Sequence, residues 1–229
     1  MTTLLHIDAS GRPGLAGRDP RGSHSRALSA RFIERWQQAA ADTRVIRRDV
    51  GMAPPAHVDH DWIAAAFTAP DAADDGMRAR LTESDLLVDE LFAADIVVIG
   101  TPLYNFGMPS ALKTWVDNVV RVGRTVDIDP TDAEPYTPLL ADRPRTAVVL
   151  AARGGHDQSA GGAFAHMNHL ETHLRTALGF VGIEDVREVA IEHQEAGGDL
   201  LAASVAAAQR EVDALVDALR ASHAPARAA

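Results

Sequence analysis

Short apolar runs alternate along the chain with stretches whose apolar residues recur every three or four positions. The runs predict five strands, over residues 4–7, 44–50, 96–100, 146–152 and 184–191. Two of them, 96–100 and 146–152, are apolar at consecutive positions, as in parallel strands buried on both faces. The periodic stretches predict helices over 23–36, from Thr82, from near Pro109, over 163–178 and over 201–219. Strands that alternate with helices predict an α/β three-layer sandwich around a parallel sheet.

Two segments lack either periodicity. Residues 51–80 are rich in Ala, Pro and Asp, which predicts a loop with one or two short helices. Residues 124–145 contain four prolines, which predicts an irregular excursion or a hairpin. Neither segment reads as a linker and no repeat is visible, so we expect one domain over residues 1–229. The last residues, from Ala224 onward, are expected to fray.

Composition removes several classes of function. The chain of 229 residues has no cysteine, which excludes disulfides, a Cys nucleophile and thiolate-bound zinc or iron–sulfur clusters. Its net charge of −10 argues against nucleic acid and anionic membranes as partners. We find neither an apolar run of membrane-spanning length nor a cationic leader, so we expect a cytoplasmic protein.

Candidate chemistry lies after the first, third and fourth strands, because ligands of such sheets bind beyond the carboxyl ends of the strands. Ser10 and the serines around His24 suit a phosphate at a helix N-terminus, or form a simple cap. Residues 102–106 include two aromatic side chains and an Asn, which could face the flat heteroaromatic ring of a ligand. Alternatively, they form a turn whose aromatic side chains pack into the core. The glycines at 154–155 allow close backbone approach, or make a turn. Together the three loops outline a mononucleotide site such as one for FMN.

One segment carries a family resemblance. Residues 101–117, TPLYNFGMPSALKTWVD, resemble the diagnostic segment of the FMN-dependent NADH-azoreductase family, which are flavodoxin-like quinone and azo-dye reductases. The resemblance implies a flavodoxin-like sheet with strand order 2-1-3-4-5 and a homodimer with its active site near the interface. It also implies one non-covalent FMN per subunit, with NADH or NADPH as the electron donor and a small planar molecule as the acceptor.

The resemblance also assigns site residues. The phosphate and ribityl chain of FMN would be bound by Ser10, Ser23, His24 and Ser25. The isoalloxazine ring would be contacted by Pro102, Leu103, Tyr104, Asn105 and Phe106. The pyrimidine side of the ring would be lined by Ala152, Arg153, Gly154 and Gly155. The electron acceptor would contact Phe106, Phe180 and Ile128. Of these, Phe180 would reach into the site of the neighbouring subunit. The chain departs from the family at Ala152, commonly Ser, and at Val126 and Ile128, where the family has an aromatic pair.

The activity implied is transfer of two electrons from NAD(P)H to quinone or azo acceptors by a ping-pong mechanism. The flavin supplies the chemistry, so we expect no catalytic acid or base from the protein. The alternatives are a flavodoxin-type carrier of single electrons, without a small-molecule substrate of its own, and a binding protein that has lost FMN.

Other constellations predict less. His166, His169 and His173 would lie along one face of the helix predicted over 163–178, but the outer two are about 10 Å apart by helix rise. His57 and His60 form a similar group in a loop. We expect a metal at neither. A serine hydrolase is disfavoured because no G-x-S-x-G motif is present.

Overall fold

The computed structural model of the chain describes residues 1–223. Its central sheet has five parallel strands. These are β1 (Thr3–Asp8), β2 (Arg44–Asp49), β3 (Ile96–Pro102), β6 (Thr146–Ala152) and β7 (Asp185–Ile191). Numbered within this sheet alone, the order is 2-1-3-4-5, so the predicted fold class and strand order are confirmed.

Helices cover both faces of the sheet. They are α1 (His24–Ala39), α2 (His60–Ala66), α3 (Asp75–Ala93), α4 (Ser110–Val119), α5 (Leu170–Val181) and α6 (Gly198–His223). On one face, Phe32 and Trp36 of α1 and Val212 of α6 pack against β3 and β6. On the other face, α3, α4 and α5 pack in a second cluster. None of the helices within residues 1–223 combines the length and the hydrophobicity of a membrane span.

The segment after α4 forms a hairpin. Strands β4 (Val126–Ile128) and β5 (Tyr136–Pro138) pair antiparallel, with Ile128 opposite Tyr136. This is the hairpin alternative of the sequence-based prediction for residues 124–145. The ring of Tyr136 lies edge-on to Phe180 of α5, 5.2 Å between centroids, which ties the hairpin to the helical layer.

One predicted helix starts in the wrong place. The helix expected from Thr82 begins at Asp75, and Asp74 caps it by accepting a hydrogen bond from the Met77 amide at 2.8 Å. Met77 and Leu81 pack with Trp62 of α2, and this contact extends the helix by two turns into the segment predicted as loop.

A second predicted helix is split. Residues 163–178 contain a single 3-10 turn (Ala165–Met167) before α5 begins at Leu170. The break follows from two hydrogen bonds: the His169 amide donates to the Phe106 carbonyl (2.9 Å), and the Leu170 amide donates to the Asn168 side chain (3.1 Å). His166 therefore precedes the helix and His169 caps it, so the expected histidine face does not form. The tail from Ala224 lies outside the described residues.

Candidate active site at the carboxyl edge of the sheet

The loop after β1 forms a polar recess with the start of α1. Ser23 is the N-cap of α1, and its Oγ accepts a hydrogen bond from the Arg26 amide at 3.3 Å. The amides of His24 and Ser25 occupy the first helical positions, where no carbonyl of the helix can accept a hydrogen bond from them. Ser10 and Arg12 face the same recess of about 90 Å³. Hydroxyls, free amides and the positive end of a helix therefore converge on one point.

Positive charge dominates this recess. Burial lowers the pKa of the His24 imidazole, and the nearby charge of Arg12 lowers it further. Both effects favour the neutral imidazole, and an anion in the recess would offset the effect of the Arg12 charge.

Arg26 stabilises the wall of the recess by linking the loop after β1 to the end of β2. Its guanidinium bonds both carboxylate oxygens of Asp49, at 2.6 and 2.7 Å, and the carbonyl of Ser10 at 2.8 Å. Burial alone would raise the pKa of Asp49, but the hydrogen bonds and charge of Arg26 outweigh it, and the pKa lies below its ordinary value.

The loop after β3 is a tight turn in an unusual backbone conformation. Tyr104 and Gly107 exchange two backbone hydrogen bonds of 3.0 Å, and the residues between them, Asn105 and Phe106, both have positive φ (45° and 71°). Such values carry strain in residues other than glycine. The turn leaves the amides of Asn105 and Phe106 without a hydrogen-bond acceptor in the described part of the chain. It also exposes about half of the Phe106 side chain.

The loop after β6 is braced by a buried ion-pair network. The Arg153 side chain, 1% exposed, pairs with Glu171 of α5 at 2.5 Å and with Glu192 at 3.1 Å. Glu192 also accepts the amides of Asp157 and Gln158, at 3.1 and 3.2 Å. The Arg153 guanidinium therefore fixes the loop from within and is not exposed at its surface.

These loops enclose a cavity of about 350 Å³. Its walls include the 103–106 turn, Gly154 and Gly155, and the aromatic side chain of Phe164. The amides of the two glycines have no acceptor within residues 1–223. The side-chain oxygen of Gln158, another wall residue, is buried without a partner. A cavity with aromatic walls, free donors and a free acceptor suits a flat heterocycle.

Most of the predicted site residues share this edge of the sheet. The small recess is lined by Ser10, Ser23, His24, Pro102, Tyr104 and Ala152, and the larger cavity by Leu103, Asn105, Phe106, Gly154 and Gly155. Four predicted residues line neither space. Ser25 is fully buried behind Ser23, with 3.0 Å between their Oγ atoms. The Arg153 side chain faces the interior, and Phe180 and Ile128 lie in or beside the hairpin layer.

The structure adds wall residues that the sequence-based search did not select. They are Arg12, His156, Gln158, Phe164, Met167, Gln194 and Glu195. Two of them, Gln194 and Glu195, follow β7. The rule that led to the other three loops, that ligands bind beyond the carboxyl ends of parallel strands, would have indicated this loop as well.

Comparison with known proteins agrees with this geometry. Residues 2–216 match a protein family described as having a flavodoxin-like fold. The FMN-dependent NADH:quinone oxidoreductase of Opitutus terrae is 42% identical over 222 residues, which cover 97% of this chain and 100% of that protein. The FMN-dependent NAD(P)H:quinone oxidoreductase 1 of Pseudomonas aeruginosa is 43% identical over 202 residues, covering 86% and 90%.

Among solved structures, an azoreductase from Bacillus anthracis superposes with a TM-score of 0.81 at 25% identity, over 95% of this chain and 100% of that one. The family match spans nearly the whole described chain, and the sequence relatives align along almost their full length. The chain therefore belongs to the flavodoxin-like family that includes the FMN-dependent NADH:quinone oxidoreductases.

Proposed function

We propose that this protein is an FMN-dependent oxidoreductase that passes two electrons from NAD(P)H to quinone or azo acceptors. The observation that carries the proposal is the pair of adjoining spaces at the carboxyl edge of the sheet. One offers hydroxyls and positive charge, and the other offers aromatic walls and unpaired amides.

The donor set fits FMN at both ends. A phosphate is matched by Ser10, Ser23, the first amides of α1 and the charge of Arg12. The isoalloxazine ring has hydrogen-bond acceptors along one edge and an N–H donor. The free amides of Asn105 and Gly154 match the acceptors, and the unpartnered oxygen of Gln158 matches the donor.

FMN, when bound, supplies the chemistry of accepting a hydride from NAD(P)H and passing two electrons to the acceptor. The protein's part is to bind, orient and shield. The strained turn holds two amides in place before any ligand arrives, so no reorganisation is needed on binding. The exposed rings of Phe106 and Phe164 can stack on a planar donor or acceptor, which adds about 0.5–1.5 kcal/mol per ring pair.

A single slot of this size favours a ping-pong order, in which donor and acceptor occupy the same place in turn. The test is anaerobic stopped-flow absorbance of the FMN-loaded protein. NADH alone should bleach the flavin band, and a quinone added afterwards should restore it. If bleaching requires the quinone to be present first, the ping-pong order is wrong; if NADH never bleaches the band, a flavodoxin-type carrier is the better description.

The phosphate end has its own test. FMN should bind more tightly than riboflavin, which lacks the phosphate, in a fluorescence-quenching titration. Ser10→Ala should narrow that difference, because it removes a hydroxyl from the recess. Thr176→Ala, on the exposed face of α5, is the matched control and should leave both affinities unchanged. Equal affinity for FMN and riboflavin would contradict the assignment of the recess.

We further propose that the active unit is a homodimer in the cytoplasm, where NAD(P)H is held. Support comes from aromatic and aliphatic side chains exposed on the hairpin, where Tyr136 is 55% exposed and Ile128 is 42% exposed. Together with Phe180 they would reach the acceptor space of a second copy. Sedimentation velocity should show a dimer, and Tyr136→Lys should shift it towards monomer; a monomeric wild type would refute this part.

A further inference from the structure

The loop after β7 places a carboxylate at the wall of the ring cavity. Three backbone hydrogen bonds join this loop to the one after β6: His193 to Gly155 (2.8 Å), Gln194 to Arg153 (3.2 Å) and Glu195 to Gly154 (3.1 Å). In each pair the first residue donates its amide to the carbonyl of the second. The backbone of Glu195 is therefore held in register with the glycines that line the cavity.

The side chain of Glu195 lies directly on Gly154. A Cβ added at Gly154 would be 2.5 Å from the Glu195 Oε1 atom, so glycine at this position leaves room for the carboxylate. Glu195 lines the same cavity as Asn105, Phe106 and the two glycines. Within residues 1–223 it takes part in no ion pair, unlike Glu192 and Glu171, which are neutralised by Arg153. Its negative charge is therefore available to whatever occupies the cavity.

We propose that Glu195 lowers the reduction potential of the bound flavin and so makes it a stronger reductant towards the acceptor. This inference rests on the proposed function. One hydride, which carries two electrons and one proton, moves from NAD(P)H to the ring; NAD(P)⁺ leaves, and the ring gains one unit of negative charge. A carboxylate at the cavity wall disfavours that charge and leaves the neutral oxidised ring almost unaffected.

The opposing groups at the same wall are the free amides of Gly154 and Gly155, which favour negative charge on the ring. The balance between these donors and Glu195 sets the driving force for the second half of the reaction. Because the carboxylate is exposed, its effect is moderate, and we expect its removal to favour the reduced over the oxidised ring by about tenfold, or about 30 mV for a two-electron couple.

The test is a redox titration of the FMN-loaded protein against a reference dye. Glu195→Gln should raise the potential by about 30 mV. Glu211→Gln removes the same charge from an exposed site on α6, away from the cavity, and should leave the potential unchanged. Glu195→Asp keeps the charge and should recover most of the wild-type value. The affinity for oxidised FMN, measured by fluorescence quenching, should be the same in all four proteins.

Three results would overturn the inference. These are an unchanged potential in Glu195→Gln, an equal rise in Glu211→Gln, and a loss of oxidised-FMN affinity in Glu195→Gln, which would make the residue structural. All three leave the proposed function intact if the wild type still binds FMN and oxidises NADH. A wild-type protein that takes up no FMN would overturn both.

Discussion

The buried network around Arg153 yields the most direct test of how the cavity is built. Arg153→Met removes a guanidinium that is 1% exposed and bonded to Glu171, Glu192 and Ser159. Two carboxylates are then left without their cation, and breaking a buried pair from one side costs about 3–5 kcal/mol. For a domain of this size the expected fall in Tm is about 6–20 °C, measured by circular dichroism at 222 nm.

An exposed ion pair on α5, the helix that carries Glu171, provides the matched control. Arg175 of α5 pairs with Glu188 at 2.7 Å, but its side chain is 47% exposed. Arg175→Met should lower the stability by about 0–1 kcal/mol, because exposed pairs contribute little. The double variant Arg153→Met, Glu171→Gln removes the most deeply buried unpaired charge and should regain part of the lost stability.

The single variant Arg153→Met should also weaken FMN binding. Glu192 accepts the Asp157 and Gln158 amides, and its position depends on Arg153. The reasoning is refuted if Arg153→Met melts within about 2–4 °C of Arg175→Met, a difference of about 1 kcal/mol. It is also refuted if the double variant is less stable than the single one.

Three further outcomes follow from the site. Phe106→Gly relieves a positive φ and should stabilise the protein by about 1 kcal/mol, yet lower the acceptor kcat/KM by about 2–10-fold through lost stacking; a drop in both Tm and activity would contradict this. Gly154→Ala should displace the Glu195 carboxylate and so raise the potential of the bound flavin towards the Glu195→Gln value, and an unchanged potential would argue against the close approach. The lowered pKa of His24 means that its stabilising contribution is present above the unfolded value of 6.5 and declines as pH falls below it. His24→Gln should therefore flatten that part of the stability curve of the apoprotein in urea unfolding, and an unaltered pH profile would count against burial of the neutral ring.

Much of the fold follows from local pattern. The apolar runs of β3 and β6 can be satisfied only by burial on both faces, and the placement of Leu28, Phe32 and Trp36 allows α1 only one buried face. Right-handed crossovers then leave few strand orders. The predicted loops after β1, β3 and β6 do meet at one edge, because parallel strands all end on the same side.

The errors arise where a contact between distant segments outweighs local pattern. α3 begins at Asp75 because Met77 and Leu81 meet Trp62, which no window around residue 77 contains. The helix predicted over 163–178 is interrupted because the Phe106 carbonyl receives the His169 amide from 63 positions away.

The strands and the hydroxyl and glycine loops are thus encoded in short-range periodicity and turn chemistry, which act within a few residues, whereas the strand order is predicted from the family resemblance. The direction of individual side chains is not encoded in this way. Arg153 is expected from the sequence to contact FMN, but in the folded chain its side chain is buried. It forms ion pairs there with Glu171 of α5 and with Glu192 at the end of β7. Glu195 has no sequence motif and acquires its place at the cavity through three hydrogen bonds between loops about 40 residues apart. Periodicity specifies which face of an element is buried, whereas packing between elements specifies which polar groups share a cavity.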